Sequence, residues 1–335
     1  MSKLNVLYQF NEKYAPYAGV SITSLLENNR TVEKIQIFIL GEGLSTDSVK
    51  KLQVLAHKYQ ADIVFVDTRD IIEKMKKWGI PPYRGAYSAN IRLFLPMILD
   101  DSVGRVLYLD ADTVVNDSVY DLYQMDLRDK ALAMALDSLG TRHKVSIGML
   151  KNEPYYNSGV ILFDLDNWRK YNCSEKIIEH VQKTQIVYPS PDQDLLNVVC
   201  KEQIMQFEPQ WNYQPVHVAY TVKQYFMWYK DSSYYRPEQI ELAKDRVKIY
   251  HFFRFLGEFP WHKDNLHPDN NIFNHYLEIS PWSDYKKQPS NCGMTIKIEK
   301  VLYRILPKGL FLGVFVFFHN LYIEGKNEVA LNQKK

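Results

Sequence analysis

The chain has 335 residues, with 41 Lys and Arg against 39 Asp and Glu, so its formal net charge is only +2. This near balance argues against a nucleic-acid partner, because dedicated nucleic-acid binders carry a strong basic excess. With 46% hydrophobic and 24% charged residues, the composition is that of an ordinary globular protein with one large or two modest domains.

Charge is distributed unevenly along this chain. Residues 285–335 hold nine basic and three acidic residues, so this tail carries +6 and the rest of the chain carries −4. A basic tail on a mildly acidic body indicates contact with a membrane or another polyanion.

Cysteine usage and the N-terminus both predict a cytoplasmic protein. Cys173, Cys200 and Cys292 are sparse, odd in number and without metal-ligand spacing, as expected of reduced thiols. The N-terminus lacks the apolar region of a signal peptide. The longest apolar run, residues 310–318, is well short of the roughly 20 residues that cross a bilayer.

Strand-like and helix-like segments alternate along the chain, which predicts an α/β protein with a mostly parallel sheet. In chain order, the predicted strands are 5–10, 35–40, 63–66, 105–109, 113–115, 131–136, 160–163 and 247–250. The predicted helices cover 16–26, a segment that begins at Ser45, and 88–99. The aromatic stretch 210–235 is expected to form irregular cover over a cleft.

Two acidic residues, Asp110 and Asp137, directly follow buried strands, and ligands of open α/β sheets bind at the carboxyl ends of strands. In the Asp110-Ala111-Asp112 motif, two carboxylates on a turn could hold a divalent cation with open coordination positions, which would neutralise a diphosphate. The alternative is structural, since aspartates commonly make turns and cap helices.

Two further motifs are ambiguous on their own. His251 follows the last predicted strand and is either a satisfied core residue or a third ligand, in a mixed oxygen and nitrogen set suited to Mn²⁺ rather than Mg²⁺. Asp192, Gln193 and Asp194 favour a helix N-terminus. The functional alternative places a carboxylate and an amide from this motif in the cleft.

In combination, the ordered motifs resemble glycosyltransferase family 8, the retaining nucleotide-sugar transferases of GT-A fold. The resemblance covers residues 4–284 and implies a Rossmann-like GT-A domain with a mixed, mostly parallel sheet flanked by helices. The motifs are 11–14, Arg92, 107–112 (Leu-Tyr-Leu-Asp-Ala-Asp), Asp137, 156–160 (Tyr-Asn-Ser-Gly-Val), 192–194 (Asp-Gln-Asp), His251, 267–269 (His-Pro-Asp) and 280–282 (Ser-Pro-Trp).

The resemblance implies a UDP-sugar donor and a role for each matching residue. Asp110, Asp112 and His251 match the ligands of Mn²⁺, with Mg²⁺ as the alternative ion. Residues that match substrate contacts are Asn11 and Tyr14 for uracil and ribose, Ala111 within the metal motif, and Arg92, Asp137, Asn157 and Asp192 for the donor sugar. Gln193 matches the residue beneath the anomeric carbon, and with Asp137 and Asp192 it forms the implied catalytic set.

One segment departs from the family pattern. The family usually follows its histidine with a short glycine-containing loop and a Lys-Pro-Trp, whose lysine touches the diphosphate. Here the loop is longer, it contains Gly257, and Phe259 stands at the lysine position. Arg254 or Lys263 could supply the missing cation, and we expect Gly257 and Arg254 to contact substrate. Asn11 also stands in a loop where an acidic residue is common.

The tail beyond the family region alternates basic and apolar residues over 296–308 and then runs apolar over 310–318. This pattern fits an interfacial segment on an anionic membrane, and the alternative is a C-terminal helix packed on the domain. We therefore divide the chain into a catalytic domain, 1–284, and a membrane-associating tail, 285–335. The expected location is the inner face of the cytoplasmic membrane.

The sequence thus predicts a metal-dependent retaining transferase that moves glucose or galactose from a UDP-sugar to a glycan or glycolipid acceptor in cell-surface polysaccharide synthesis. Two other classes stay open. A nucleotidyltransferase that makes sugar nucleotides should have a glycine-rich loop after its first strand, and residues 11–14 contain no glycine. A sugar-nucleotide-binding protein with a decayed site would explain Phe259, although Asp110, Asp112 and His251 are intact.

Overall fold

The computed structural model describes residues 2–83, 85–138 and 141–319. The strands are β1 (Lys3–Asn11), β2 (Lys34–Glu42), β3 (Asp62–Phe65), β4 (Arg105–Leu109), β5 (Thr113–Val115), β6 (Leu132–Leu136), β7 (Tyr156–Asp164), β8 (Ile204–Gln206), β9 (Ile249–His251), β10 (His262–Lys263) and β11 (Gln288–Pro289). The α-helices are α1 (Ala15–Asn28), α2 (Thr46–Tyr59), α3 (Arg69–Trp78), α4 (Tyr120–Tyr123), α5 (Thr141–Ser146), α6 (Leu165–Lys170), α7 (Cys173–Lys183), α8 (Pro191–Val199), α9 (Pro215–Ala219), α10 (Val222–Trp228), α11 (Pro237–Lys244), α12 (Asn270–Ile279) and α13 (Met294–Ile305). Residues 308–319 are also helical and are called the terminal helix.

The main sheet has seven strands in the order β3-β2-β1-β4-β7-β6-β8. The pairs β2–β3, β1–β2, β1–β4 and β6–β8 are parallel, whereas β7 is antiparallel to both of its neighbours. The predicted mixed, mostly parallel sheet is therefore confirmed. Because β7 runs in the opposite direction, its first residues lie at the edge of the sheet where β4 and β6 end.

Both faces of the sheet are covered by helices, which explains why its central strands are continuously apolar. In β1, seven consecutive residues are buried. Val6 and Tyr8 belong to the hydrophobic cluster that includes α1 and α12, while Leu7 belongs to the cluster on the opposite face with α7 and α8. Alternate residues of one strand thus serve two hydrophobic layers.

Two predicted elements differ from those observed. Residues Ser88–Met97 form a 3₁₀-helix with non-helical backbone angles at Phe94 rather than an α-helix, and Pro96, which cannot donate to the carbonyl of Arg92, prevents a regular α-helix from continuing to residue 99. The stretch 210–235, expected to be irregular, contains α9 and α10. Pro215 stands at the start of α9, and Thr221 begins α10 with a capping box.

A second, two-stranded sheet fixes the geometry of the site. In it, β5 pairs antiparallel with β9, with Thr113 opposite His251 and Val115 opposite Ile249. The turn before β5 and the end of β9 are therefore held side by side.

The C-terminal segment that follows Tyr285 packs in part on the preceding residues. Tyr303, Phe311, Leu312 and Val316 are buried in one cluster with Tyr220, Phe255 and Leu256. In the described part of the chain, no helix combines the length and the apolar character needed to span a bilayer.

Candidate functional site

Asp110, Asp112 and His251 come together at the edge of the main sheet. Each offers one ligand atom, and the three atoms lie within 4.8 Å of one another. His251 Nε2 is 3.3 Å from Asp112 Oδ1 and 3.7 Å from Asp110 Oδ2. The Phe252 amide donates to the Asp112 carbonyl at 2.6 Å, which extends the β5–β9 pairing past His251. This cluster has the donor set for a divalent cation that prefers mixed oxygen and nitrogen ligands.

The imidazole of His251 is oriented by a residue that the sequence interpretation missed, Asn212. Its Nδ2 donates to Asn157 Oδ1 at 2.8 Å, so its Oδ1 is left to accept the proton of His251 Nδ1, at 3.0 Å. The lone pair of Nε2 then faces the two carboxylates, as a metal ligand requires. Asn212 lies in the aromatic stretch, and only the fold brings it next to His251.

Gly159 provides the space in which His251 lies. A Cβ at this position would be only 2.0 Å from His251 Cε1, so any other residue would collide with the imidazole. Gly159 belongs to the motif 156–160, but no pattern in the sequence explains why this position is a glycine. Its role follows from the close approach of β7 to the end of β9.

The electrostatics of the cluster favour a positive charge. Burial lowers the pKa of His251, but the carboxylates of Asp112 and Asp110 outweigh that effect, and the net pKa is raised above its usual value. His251 is 4% exposed, whereas the side chains of Asp110 and Asp112 are 27% and 15% exposed. The cluster therefore attracts a cation from its open side, and its residues fit a divalent metal ion.

Arg92 connects the metal cluster to Asp192. Its Nη2 donates to Asp110 Oδ1 at 3.1 Å, and its Nη1 donates to the Ser158 carbonyl at 2.8 Å and lies 3.5 Å from Asp192 Oδ2. Its guanidinium stacks over the ring of Tyr108, 3.9 Å from the centroid. Burial raises the pKa of Asp192, and the charge of Arg92 opposes that rise.

Asp137, Asn157 and Gln193 form a buried hydrogen-bond network beside the cluster. Asp137 Oδ2 accepts from Asn157 Nδ2 at 2.7 Å and from Gln193 Nε2 at 3.1 Å. Gln193 Oε1 accepts from the Ser158 amide at 2.9 Å. The antiparallel β7 explains this arrangement, because Asn157 lies within β7 next to the end of β6. The sequence interpretation had placed Asn157 before the strand.

Tyr155 extends this network away from the metal cluster. Its hydroxyl donates to Asp194 Oδ1 at 2.5 Å and accepts from Gln193 Nε2 at 3.0 Å. Burial and then the charge of Asp194 raise the pKa of Tyr155 well above its usual value, so the hydroxyl keeps its proton. Asp194 also contacts His143 Nε2 at 2.9 Å. Sequence reasoning missed both Tyr155 and His143, which carry no motif of their own.

Asn11, Tyr14 and Arg254 lie on two segments that contact each other, the end of β1 with the turn after it and the loop after β9. Asn11 Oδ1 accepts from the Tyr14 amide at 3.3 Å, and the Tyr14 ring meets the edge of Trp261. Trp261 stacks on Phe259, 4.4 Å between centroids, and the Arg254 guanidinium lies 5.4 Å from the Phe259 ring. Aromatic contacts thus connect the two loops.

Gly257 and Ala111 occupy more sheltered positions. Gly257 has φ +72° and is covered by the side chain of Ile296 from α13. Ala111 is 7% exposed, between the two aspartates of the metal motif. Substrate contact by these two residues stays a prediction.

The order and geometry of these residues agree with the comparison of the chain with protein families. The profile described as Glycosyl transferase family 8 matches residues 5–265. The chain belongs to this family.

Similar proteins match over most of this chain. General stress protein A of Bacillus subtilis is 25% identical over 278 residues, covering 82% of this chain and 92% of that protein. Lipopolysaccharide 1,2-glucosyltransferase of Escherichia coli is 26% identical over 331 residues, covering 95% and 91%. Among solved structures, the galactosyltransferase LgtC in complex with donor and acceptor sugar analogues superimposes with a TM-score of 0.66 at 25% identity, covering 83% of this chain and 96% of that chain. The fold is thus the GT-A fold.

The space above Gly159 allows a direct test of the cluster. We expect Gly159→Ala to displace the imidazole of His251 and to weaken Mn²⁺ binding by about 10- to 100-fold, the usual cost of disturbing a ligand's support. Isothermal titration with MnCl₂ measures the affinity, and circular dichroism checks the fold.

Gly293→Ala is the matched control, because a Cβ there has no atom within 4 Å and the backbone φ is −64°. Unchanged Mn²⁺ affinity in a folded Gly159→Ala protein would show that His251 is not a ligand.

Proposed function

We propose that the protein transfers a hexose, glucose or galactose, from a UDP-sugar to a glycan or glycolipid acceptor in cell-surface polysaccharide synthesis, with retention of configuration. The observation that carries this proposal is the Asp110, Asp112 and His251 cluster beside a buried polar network, in a chain of family 8. Relatives named for glucosyl transfer to lipopolysaccharide, and the likeness to a galactosyltransferase, support the hexose and the surface glycan.

The donor would bind across the cluster and the network. Asp110, Asp112 and His251 would hold Mn²⁺, with Mg²⁺ as the alternative, and the bound ion would neutralise the diphosphate as a Lewis acid. Asn11 and Tyr14 would receive the nucleoside, on the loop joined to Arg254 through Trp261 and Phe259. Arg254 is then the cation that replaces the lysine of the family pattern.

The donor sugar would be held by groups already fixed in place. Arg92 offers hydrogen-bond donors, the carboxylates of Asp137 and Asp192 accept from hydroxyls, and Asn157 is locked by Asp137 and Asn212. Polar groups that are oriented before the substrate binds lower the barrier because they need no reorganisation.

Gln193 favours attack of the acceptor on the face from which the diphosphate leaves. A carboxamide is a poor nucleophile, and both ends of this one are engaged by Ser158, Asp137 and Tyr155. The bond from the anomeric carbon to the phosphate oxygen breaks and a bond to the acceptor oxygen forms. The proton of the acceptor hydroxyl passes to the departing diphosphate.

We also propose that α13 places the enzyme on an anionic membrane at its cytoplasmic side. Met294, Ile298, Val301 and Ile305 are spaced as one helix face and are 53–71% exposed. Lys297 and Arg304 are exposed on the same helix. An apolar stripe flanked by basic residues is the pattern of an interfacial helix. The three free cysteines fit a reducing compartment.

The metal and glutamine roles are separable by mutation. We expect Asp110→Ala to abolish UDP release from UDP-glucose or UDP-galactose, because it removes a ligand and the partner of Arg92. Gln193→Ala should retain measurable turnover, lowered by about a hundredfold, because it removes a stabilising group and no nucleophile. The activity of both variants is measured as UDP release in the presence of Mn²⁺ and, separately, of EDTA. Full activity in Asp110→Ala would contradict the metal role of Asp110.

The substitute cation can be identified from donor kinetics. Arg254→Ala should raise the apparent KM for the UDP-sugar by about tenfold, because a hydrogen bond to a charged group contributes about that much to binding. The change in kcat should be smaller. Lys263→Ala, the other candidate in this loop, should leave the KM near the wild-type value. A rise in KM with Lys263→Ala alone would reverse the assignment.

Membrane binding by α13 predicts a sedimentation result. Ile298→Asp with Ile305→Asp should lower binding to phosphatidylglycerol vesicles by at least about tenfold, since each buried isoleucine contributes roughly 1.5 kcal/mol or more. Val54→Asp is the control, because Val54 is equally exposed, at 61%, on α2. Equal sedimentation of the double variant and the control would exclude α13 as the contact.

A further inference from the structure

A cavity of about 390 Å³ opens next to the catalytic network. Its walls come mainly from the segment 215–231, which contains α9 and α10, from the loop 253–256 after His251, and from the terminal helix, and Ser138 and His143 complete them. This volume lies within the range of roughly 300–1,000 Å³ that is typical of small-molecule sites. None of the roles proposed above for the donor, apart from that of Arg254, uses a residue that lines it.

One end of the cavity is polar and adjoins the reaction site. Ser138 directly follows Asp137 in the chain, and its amide donates to Gln214 Oε1 at 3.0 Å. His143 lines the same end and contacts Asp194, the neighbour of Gln193. A molecule in the cavity therefore has its polar end beside the residues that would hold the transferred sugar.

The remaining walls are mostly apolar and aromatic, with Lys230, Asp231, Arg254 and His319 as their charged or polar members. The terminal helix contributes Phe311, Leu312, Phe315 and Val316, which recur at one-, three- and four-residue spacings and so share one helix face. The rings of Tyr220, Tyr225, Trp228 and Tyr229 also line the cavity. These walls offer few partners for sugar hydroxyls, and burying unpaired hydroxyls is unfavourable, whereas a hydrocarbon chain gains from leaving water.

Close packing keeps this wall in place. Trp228 Nε1 donates to the Gly309 carbonyl at 2.9 Å, and a Cβ on Gly313 would be only 2.3 Å from the Trp228 ring. Leu256 and Phe255 pack in the same hydrophobic cluster as the terminal helix. The tail is thus part of the cavity and is connected to the loop that follows the metal ligand His251.

We propose that the cavity is the binding site for the apolar aglycone of an amphiphilic acceptor, with the acceptor's sugar at the Ser138 and His143 end and its hydrocarbon against the terminal helix. The proposal rests on the proposed function, because it assigns a substrate class to the acceptor side of the same reaction. Continuity with the catalytic network favours the acceptor over other apolar ligands, since the cavity is lined by Ser138, which follows Asp137 in the chain, and by His143, which contacts Asp194.

The test compares matched ligands that differ only in the aglycone. Octyl β-glucoside and octyl β-galactoside, each below its critical micelle concentration, are titrated into the protein by calorimetry in the presence of UDP and Mn²⁺. Glucose and galactose are titrated in the same way for comparison. Octan-1-ol is titrated as the aglycone alone. We expect at least one octyl glycoside to bind about tenfold or more tighter than both its free sugar and octanol, since two buried methylenes suffice for that ratio.

Substitutions in the cavity wall test whether the octyl chain binds there. Phe315→Ser should bring the dissociation constant of the octyl glycoside close to that of the free sugar, so that their ratio approaches one. Val216→Phe, which fills the cavity from α9, should do the same without loosening the terminal helix. Phe318→Ser is the control, because Phe318 is 63% exposed on the same helix and does not line the cavity.

Each failure has its own signature. Equal affinity for octyl glycoside and free sugar, octanol binding as tightly as the glycoside, or an unchanged ratio in both Phe315→Ser and Val216→Phe would overturn the aglycone site. Absence of UDP release from any UDP-hexose would contradict the proposed function, and it is measured on wild type without an octyl ligand. The two failures are therefore distinguishable.

Discussion

The pairing of β5 with β9 is the interaction on which the candidate site depends. Asp110 and Asp112 are far from His251 in sequence, and three residue pairs of this two-stranded sheet hold them within coordination distance of one ion. The absence of a side chain at Gly159 gives the imidazole its place, and Asn212 sets its tautomer. Without this small sheet, the turn after β4 would present the carboxylates of Asp110 and Asp112 without a third ligand beside them.

From His251 the site continues as one hydrogen-bonded chain of side chains. Asn212 joins His251 to Asn157, Asn157 joins Asp137, and Asp137 joins Gln193, whose amide also contacts Tyr155. Residues proposed for the metal and residues proposed for the sugar therefore constrain one another. A buried network of this kind holds its groups in fixed orientations because each lost hydrogen bond leaves an unpaired polar atom.

The sequence predicted the sheet and the strand-end acids because these depend on local pattern. Apolar runs ending in Asp110 and Asp137 are visible in a single chain, and the resemblance to family 8 supplied their order. The direction of β7 was not predictable from pattern, so Asn157 was placed before the strand instead of within it. The roles of Asn212, Gly159 and Tyr155 were missed because they exist only through contacts between distant segments.

The terminal helix packs on the rest of the chain, which is one of the two alternatives considered from sequence, while α13 exposes an apolar stripe whose contact with a membrane stays a prediction. The central claim remains that Asp110, Asp112 and His251 hold the cation of a sugar-nucleotide site. A crystal structure of the protein with Mn²⁺ and UDP, with anomalous data collected at the manganese edge, tests it most directly. We expect an anomalous peak within coordination distance of both aspartates, His251 Nε2 and the diphosphate of UDP. A manganese peak elsewhere, or UDP bound without metal between these residues, would contradict it.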